Sequence, residues 1–200
     1  ELYCSMKNIG VSDVIIAINL SAAQFADVNL PDYLQELLKE FDVNAKNFEL
    51  ELTEQTLVKD IDKAIETMDA LRALGFSFAI DDFGTGYSSL AYLKRMPVDV
   101  IKIDKSFVFG MLENHADFQI IMSTIAMVKN LGLTVIAEGV ETQAQLRSLT
   151  ENDCDIIQGY YYSKPIPEKE LFSMLDKQTT SGYWKIAKVI NHGSSTDKLA

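Results

Sequence analysis

Residues 61–82 read IDKAIETMDALRALGFSFAIDD, and this stretch indicates the fold class more clearly than the rest of the chain. From Ile61 to Leu74, apolar residues recur at helical spacing, and the pattern stops at Gly75, a common helix terminator. From Phe76 to Asp82, a short apolar run ends in two aspartates. A helix followed at once by a buried strand predicts an α/β fold.

The same alternation extends along the chain. Further short runs rich in Val, Ile, Leu or Phe predict five more strands: VIIAIN (Val14 to Asn19), FELELT (Phe48 to Thr53), VDVIKID (Val98 to Asp104), LTVIAEG (Leu133 to Gly139) and CDIIQG (Cys154 to Gly159). Helical patterns cover Asp32 to Glu40, Phe118 to Leu131 and Glu168 to Lys177. Strands that alternate with helices predict a parallel sheet with right-handed crossovers.

Six strands leave two architectures open. A closed (β/α) barrel needs eight strands, so a TIM-like barrel would lack about two strands upstream of Glu1. An open, doubly wound sheet needs no missing strands and stays as the alternative. We expect one domain over residues 1–178 and a polar tail over 179–200, whose closing DKLA resembles a cloning remnant.

Composition excludes several classes of protein. Hydrophobic residues make up 48% of the 200 residues, which is ordinary for a soluble domain, and no apolar run reaches the ~18 residues of a membrane span. The formal net charge of −11 argues against a duplex nucleic-acid binder. Cys4 and Cys154 lie far apart without metal-type spacing, which indicates a reducing, cytoplasmic compartment.

Polar residues stand where each predicted strand ends. They are Asn19, Glu51, Asp81 with Asp82, Lys102 with Asp104, Glu138 and Gln158. In a barrel these ends share one face, where such folds place their active sites. Carboxylates converging on one pocket need cations, and oxygen ligands suit Mg²⁺ or Mn²⁺. Neither His115 nor His192 falls on a predicted strand, which disfavours a zinc site.

Spacing suggests how the residues cooperate. Lys102 and Asp104 are two apart and therefore point to one side of their strand. Asp81 and Asp82 are adjacent and could not both face inward from a regular strand. At the strand-to-loop junction the pleat ends, and the following GTG permits a sharp turn. One aspartate could then bridge two metal ions about 4 Å apart while its neighbour binds one of them.

Several of these residues also have ordinary structural interpretations. Asn19 alone is typical of a strand-end cap. Lys102 and Asp104 could form a simple salt bridge. Glu51 and Glu54 could mark the solvated edge of a loop.

The remaining residues differ in how well an ordinary interpretation suits them. Glu141 with Thr142 is typical of a helix start. The pair Asp81–Asp82 before FGTG favours function. Polar residues at all six strand ends together favour a shared site.

The motifs resemble those of the EAL domains. The matching segments are INLS (Ile18 to Ser21), ELTE (Glu51 to Glu54), DDFGTGYSS (Asp81 to Ser89), IKIDKSFV (Ile101 to Val108), AEGVET (Ala137 to Thr142) and QGYYYSKP (Gln158 to Pro165). Their order and spacing match from about residue 1 to about residue 175, and DDFGTGYSS with AEGVE is highly specific.

The resemblance implies a fold and an activity. It implies a TIM-like barrel enzyme that cleaves the bacterial second messenger cyclic di-GMP to linear pGpG with Mg²⁺ or Mn²⁺, through two metal ions in the full domain. The metal ligands it implies are Asn19, Glu51, Asp81, Asp82 and Glu138.

The resemblance also implies roles around the reacting phosphate. Lys102 would orient the attacking water with support from Asp104, and Glu138 would assist deprotonation of that water. Glu141 and Gln158 would line the site.

The resemblance extends to regulation and partners. Glu54 would hold the loop from Phe83 to Ser89, which the family uses for metal binding and communication between the subunits of a homodimer. Sensory or GGDEF-type domains are expected upstream in the full-length protein.

One departure from the family affects the expected activity. The E-A-L tripeptide that names the family, whose glutamate is a metal ligand, lies upstream of INLS in those domains and is absent here. We therefore expect little or no activity from these 200 residues alone, and a dimer that covers the open sheet edges. The alternative functions are an inactive EAL module that binds cyclic di-GMP or a partner protein, and an unrelated metal-dependent barrel.

Overall fold

The computed structural model describes residues 1–58, 60–86 and 90–181. The last residues of the DDFGTGYSS motif, Tyr87 to Ser89, and most of the predicted tail, 182–200, lie outside the described residues. The chain divides into two compact units. Among the described residues, the first unit combines Glu1–Lys102 with residues 165–181, and the second is formed by Ile103–Lys164.

Strands and helices alternate as the sequence predicts. The strands are β1 (Ile16–Asn19), β2 (Phe48–Thr53), β3 (Ser77–Phe83), β4 (Val100–Ile103), β5 (Thr134–Ala137) and β6 (Ile156–Ile157). The helices are α1 (Leu2–Asn8), α2 (Ala22–Phe25), α3 (Leu30–Glu40), α4 (Glu54–Val58), α5 (Ile61–Leu74), α6 (Leu90–Leu93), α7 (Lys105–Gly110), α8 (His115–Asn130), α9 (Gln143–Glu151) and α10 (Glu168–Ser181).

The strand order follows the order of the chain. The sheet runs β1-β2-β3-β4-β5-β6, and β1, β2 and β3 pair in parallel, as do β5 and β6. A doubly wound sheet would reverse its order at a switch point, and the described strands show no reversal. The order is the one expected of successive strands in a (β/α) barrel.

Alternating residues of the strands build the core of the first unit. Leu50 and Leu52 on β2 and Phe78 on β3 are completely or almost completely buried, as are Met68 and Leu71 on α5. Because side chains alternate along a strand, Glu49 and Glu51 fall on the opposite face of β2. Burial of the apolar residues on one face of the strands therefore fixes the direction in which the polar residues point.

The ends of the elements confirm some sequence signals and correct others. Helix α5 ends at Gly75, whose φ of 107° only glycine adopts readily. Helix α10 continues to Ser181, four residues past its predicted end. Strand β6 is much shorter than the predicted run from Cys154 to Gly159, and directly before it the carboxylate of Asp155 accepts the Val135 N–H.

The second unit has its own apolar core. One face of α8 buries Ile121, Ile125 and Val128, and β5 buries Val135 and Ala137. Among the described residues, none of the helices is long and apolar enough to cross a membrane.

Candidate active site

A buried lysine lies between two carboxylates in the first unit. The Nζ atom of Lys102 is 2.7 Å from Glu51 Oε1 and 3.2 Å from Asp81 Oδ1. The side chains of Lys102 and Glu51 are only 4% and 6% exposed. A buried charge is tolerated when it is paired with an opposite charge. Here the positive charge of Lys102 is paired with the negative charges of Glu51 and Asp81. The burial of Glu51 also shows that it is not a solvated loop edge.

Asn19 lies beside Glu51 on the neighbouring strand. The two residues are register partners in the parallel pair β1–β2, and the N–H of Leu20 donates to the Glu51 carbonyl at 2.9 Å. Register partners point to the same face of a sheet. The structure thus brings Asn19, an exposed residue, to the face that carries Glu51.

The backbone is distorted at Asp82, the second of the two adjacent aspartates. Asp82 adopts a φ of 53°, in the left-handed region, and its N–H donates to Asp81 Oδ1 at 3.0 Å. Each aspartate can offer a carboxylate oxygen within 4.8 Å of the other. The expectation that the chain turns at the following glycine was incomplete, because the distortion begins at Asp82 itself. Non-glycine residues in this conformation are concentrated at functional sites.

Glu54 is buried against the loop that follows Asp82. Glu54 is only 6% exposed, and neither of its carboxylate oxygens has a hydrogen-bond partner among the described residues. A Cβ atom added to Gly86 would lie 2.6 Å from Glu54 Oε1. The interpretation of Glu54 as a solvated loop edge was therefore wrong, and a side chain at position 86 would have to displace the Glu54 carboxylate or the loop.

In the second unit, Glu138 and Gln158 occupy the carboxyl ends of β5 and β6. Glu138 is half-buried, and its N–H donates to the Ile103 carbonyl at 3.2 Å. Gln158 is exposed, and its N–H donates to the Ala137 carbonyl at 2.9 Å. Both predicted site residues therefore stand at strand ends, as the sequence indicated.

Asp104 has a role that its position at a strand end did not reveal. It is the N-cap of α7, where its Oδ1 accepts the Ser106 N–H at 3.0 Å and also the Ser106 hydroxyl. Aspartate is among the best N-cap residues. The sequence Asp-Lys-Ser at a strand-to-helix junction contained this signal.

The helix start predicted at Glu141 and Thr142 is confirmed. Thr142 caps α9 in a reciprocal capping box with Gln145, whose Oε1 accepts the N–H groups of Glu141 and Thr142. The Gln145 side chain is buried and donates to the Val108 carbonyl at 3.0 Å. Sequence reasoning missed Gln145, although Thr-x-x-Gln is a known helix-start pattern. Glu141 itself is exposed.

Glu49 is a buried carboxyl group that sequence reasoning also missed. Burial, with a smaller contribution from the negative charge of Glu51, raises the pKa of Glu49 to about 7 despite the opposing effect of Lys102. The Glu-Leu-Glu alternation in FELELT was the available signal, because it places Glu49 and Glu51 on one face.

Comparison with known proteins identifies the family to which the chain belongs. The family model for the EAL domain matches residues 5–165. The chain belongs to the EAL domain family. The resemblance carried by the sequence motifs is thereby confirmed, together with the α/β fold of the EAL type.

Two curated proteins of Pseudomonas aeruginosa are similar to this chain in sequence. The cyclic di-GMP phosphodiesterase NbdA of Pseudomonas aeruginosa is 45% identical over 152 residues, which are 76% of this chain and 19% of NbdA. The bifunctional diguanylate cyclase/cyclic di-GMP phosphodiesterase MucR of the same species is 40% identical over 164 residues, 82% of this chain and 24% of MucR. The chain thus spans about a fifth to a quarter of these curated relatives.

Solved EAL structures share the fold. The P. aeruginosa MucR phosphodiesterase, in its c-di-GMP complex, matches with a TM-score of 0.82 and 38% identity over 85% of this chain and 69% of that chain. The EAL domain of Mycobacterium smegmatis DcpA matches with a TM-score of 0.83 and 37% identity over 88% of this chain and 79% of that one.

The donors of this EAL domain suit a hard divalent cation. Carboxylate oxygens of Asp81 and Asp82 lie close enough together to hold a metal ion, and Asn19 and Glu51 are register partners on one face of the sheet. His115 lies at the start of α8 rather than on a strand. An all-oxygen donor set is typical of Mg²⁺ or Mn²⁺ sites and differs from the N/S set of zinc sites.

Proposed function

We propose that this chain is the catalytic EAL domain of a phosphodiesterase that hydrolyses cyclic di-GMP to linear pGpG. The observation that carries the proposal is Lys102, a buried ammonium group held between Glu51 and Asp81 at strand ends. Relatives named as cyclic di-GMP phosphodiesterases support the choice of substrate.

The proposed cofactor is Mg²⁺ or Mn²⁺, with two ions in the complete site. Asn19, Glu51, Asp81, Asp82 and Glu138 would hold the ions. When bound, such ions lower the pKa of a coordinated water and neutralise charge on the phosphate. Asp82, with its left-handed backbone, lets two consecutive carboxylates act at one site.

In the proposed reaction, the side chains position water and move protons. The oxygen of the water forms a bond to phosphorus, and the bond between phosphorus and the ribose 3′-oxygen breaks. The water loses a proton to Glu138, and the departing 3′-oxygen gains a proton. Lys102 orients the water, and its contacts with Glu51 and Asp81 hold the ammonium group in place before the substrate arrives.

Other residues support this arrangement. Asp104 anchors the start of α7 directly after β4, which fixes the end of the strand that carries Lys102. Glu141 and Gln158 are exposed and would line the substrate site. Glu54 would hold the loop that begins after Asp82, through its contact with Gly86.

We further propose the context in which the domain acts. It would work as a homodimer in the cytoplasm, within a longer protein that carries sensory or GGDEF-type domains. The name of the relative MucR, a bifunctional cyclase and phosphodiesterase, supports such an arrangement. Free thiols at Cys4 and Cys154 suit a reducing compartment.

The test is product analysis with controlled metal. The longer protein proposed above, rather than these 200 residues alone, is incubated with cyclic di-GMP and Mn²⁺ or Mg²⁺, and the nucleotides are separated by chromatography. We expect pGpG as the product and no cleavage in excess chelator. Binding of cyclic di-GMP without cleavage under any of these conditions would instead identify a binding module.

A further inference from the structure

Two segments of the chain repeat one local pattern. Residues 72–81 read RALGFSFAID, and residues 129–138 read KNLGLTVIAE. Both run from a basic residue through Leu-Gly into an apolar strand that ends at an acidic residue. The segments that follow also correspond: residues 98–102 read VDVIK and residues 154–158 read CDIIQ. Each contains an aspartate directly before the next strand.

In the first unit, this aspartate holds the start of β3. The Oδ2 atom of Asp99 accepts the Phe78 N–H at 3.0 Å, and the N–H of Asp99 donates to the Phe78 carbonyl at 3.0 Å. Arg72, in the last turn of α5, donates to both Asp99 oxygens at 2.8 Å and to the Pro97 carbonyl at 3.0 Å. Asp99 therefore joins the end of a helix to the starts of two strands.

In the second unit, Asp155 makes the corresponding contacts. Its Oδ2 accepts the Val135 N–H at 2.9 Å, and its Oδ1 accepts a hydrogen bond from Lys129. Lys129 precedes Val135 by six residues, as Arg72 precedes Phe78. The two units thus contain the same three-part clamp: a basic residue at a helix end, a backbone N–H at a strand start and an aspartate before the next strand.

Each strand residue of a clamp lies three residues along the chain before a residue of the candidate site. Three residues after Phe78 comes Asp81, and three residues after Asp99 comes Lys102, whose Nζ lies 3.2 Å from Asp81 Oδ1. Three residues of a strand span about 10 Å. In the second unit, the same count from Val135 and Asp155 leads to Glu138 and Gln158. If one strand slips by one residue against its neighbour, every side chain of that strand turns to the other face of the sheet. A clamp that fixes the strands at their starts therefore determines which residues lie side by side at their carboxyl ends.

Stability alone does not account for the first clamp. The side chains of Arg72 and Asp99 are 39% and 35% exposed, and exposed ion pairs contribute little to the free energy of unfolding. The hydrogen bond to Phe78, in contrast, acts on the backbone of the strand that carries Asp81.

We propose that Asp99 is a positioning residue for the Lys102 site, because it fixes the register of β3 and β4 and thereby places Lys102 against Asp81. Asp155 plays the same part for Glu138 and Gln158 in the second unit. The kinetic consequences rest on the proposed function, whereas the effect on strand register does not.

The kinetic test compares three variants in the intact protein. Asp99→Ala removes both contacts of the carboxylate, and we expect kcat to fall at least about tenfold, since an error of about 1 Å can cost about 100-fold. KM for cyclic di-GMP should change by less than about threefold. Asp99→Asn keeps an acceptor for the Phe78 N–H and should retain kcat within about threefold. Asp62→Ala breaks the exposed ion pair with Arg95 and serves as the matched control with unchanged kcat.

A second readout does not depend on turnover. Amide hydrogen exchange at Phe78 and along residues 78–81 should accelerate at least about tenfold in Asp99→Ala but not in Asp99→Asn or Asp62→Ala. A smaller fall in kcat for Asp99→Ala, or unchanged exchange, would overturn the proposal. If the unsubstituted protein does not cleave cyclic di-GMP, the proposed function fails and hydrogen exchange alone decides the role of Asp99. If Asp99→Ala does not fold, Arg72→Ala must lower kcat at least about fivefold for the proposal to stand.

Discussion

Lys102 and Glu51 form a buried ion pair across an intervening strand, with 2.7 Å between Nζ and Oε1. Lys102 is on β4 and Glu51 on β2, and β3 lies between them in the sheet. The β3 residue in register with Glu51 is Ala79, which is 1% exposed. Register partners lie on the same face of the sheet, so Ala79 lies on the face that carries Glu51. Because its side chain is only a methyl group, Lys102 can extend past it to the Glu51 carboxylate.

A larger side chain at position 79 should therefore separate this pair. We expect Ala79→Leu to lower turnover of cyclic di-GMP at least about tenfold and to reduce the free energy of unfolding by about 1–3 kcal/mol through overpacking. Ala70→Leu, on the exposed side of α5, is the matched control and should change neither quantity appreciably. Wild-type turnover in Ala79→Leu would show that the Lys102–Glu51 contact is dispensable.

Asp82 allows its backbone and its charge to be tested separately. Asparagine tolerates the left-handed conformation that Asp82 adopts at φ 53°, whereas alanine does so at a cost of about 1 kcal/mol. We expect Asp82→Asn to keep the free energy of unfolding but to lose metal-dependent cleavage. We expect Asp82→Ala to lose cleavage and about 1 kcal/mol of the free energy of unfolding. Denaturant unfolding in chelator, with parallel assays in Mn²⁺, distinguishes the two effects. Full activity in Asp82→Asn would rule out the carboxylate as a metal ligand.

Gly86 and Glu54 should behave as a coupled pair. A Cβ at position 86 would meet the buried Glu54 carboxylate at 2.6 Å, so Gly86→Ala must displace either the loop or Glu54. We expect Gly86→Ala and Glu54→Ala each to lower activity at least about tenfold, and the double variant to lose no more than Glu54→Ala alone. Additive losses in this double-mutant cycle would mean that the two residues act independently.

Glu49 predicts a dependence of stability on pH. Its pKa is raised from 4.5 to about 7, first by burial and then by the charge of Glu51. Between pH 4.5 and about 7, Glu49 therefore binds a proton in the folded protein but releases it in the unfolded chain. The contribution of this group to the free energy of unfolding is complete below pH 4.5 and is lost as the pH rises through about 7. Glu49→Gln stays neutral, so in metal-free protein its free energy of unfolding should rise relative to wild type across that interval. A difference that does not vary with pH would contradict the assignment.

Much of the fold was predictable because buried parallel strands appear as short apolar runs. The bounds of β2 match the predicted Phe48–Thr53, and α5 matches Ile61–Leu74. Short helices such as α4 and α7 were missed because a single turn has too few residues to show a periodicity. Strand β6 was predicted too long because the run from Cys154 to Gly159 does not show which of its residues pair with β5.

The candidate site was predictable as a set of residues but not as a set of contacts. Polar residues that end apolar runs identified Glu51, Asp81 and Lys102. Their partners depend on register, and register between strands distant in sequence is not visible in either strand alone. For the same reason the clamp at Asp99 was not foreseen, since its two contacts, Arg72 and Phe78, are more than twenty residues away along the chain.

Cleavage of cyclic di-GMP by Lys102→Met, beside the unsubstituted protein, tests whether the buried ammonium group is needed for catalysis. The substitution removes the buried cation and leaves Glu51 and Asp81 without this partner. With Mn²⁺ present and each substitution made in the longer protein proposed above, we expect pGpG formation by the unsubstituted protein and by the exposed control Lys94→Met. We expect at least a ~100-fold loss in Lys102→Met. Turnover by Lys102→Met within about threefold of the unsubstituted protein would contradict the account.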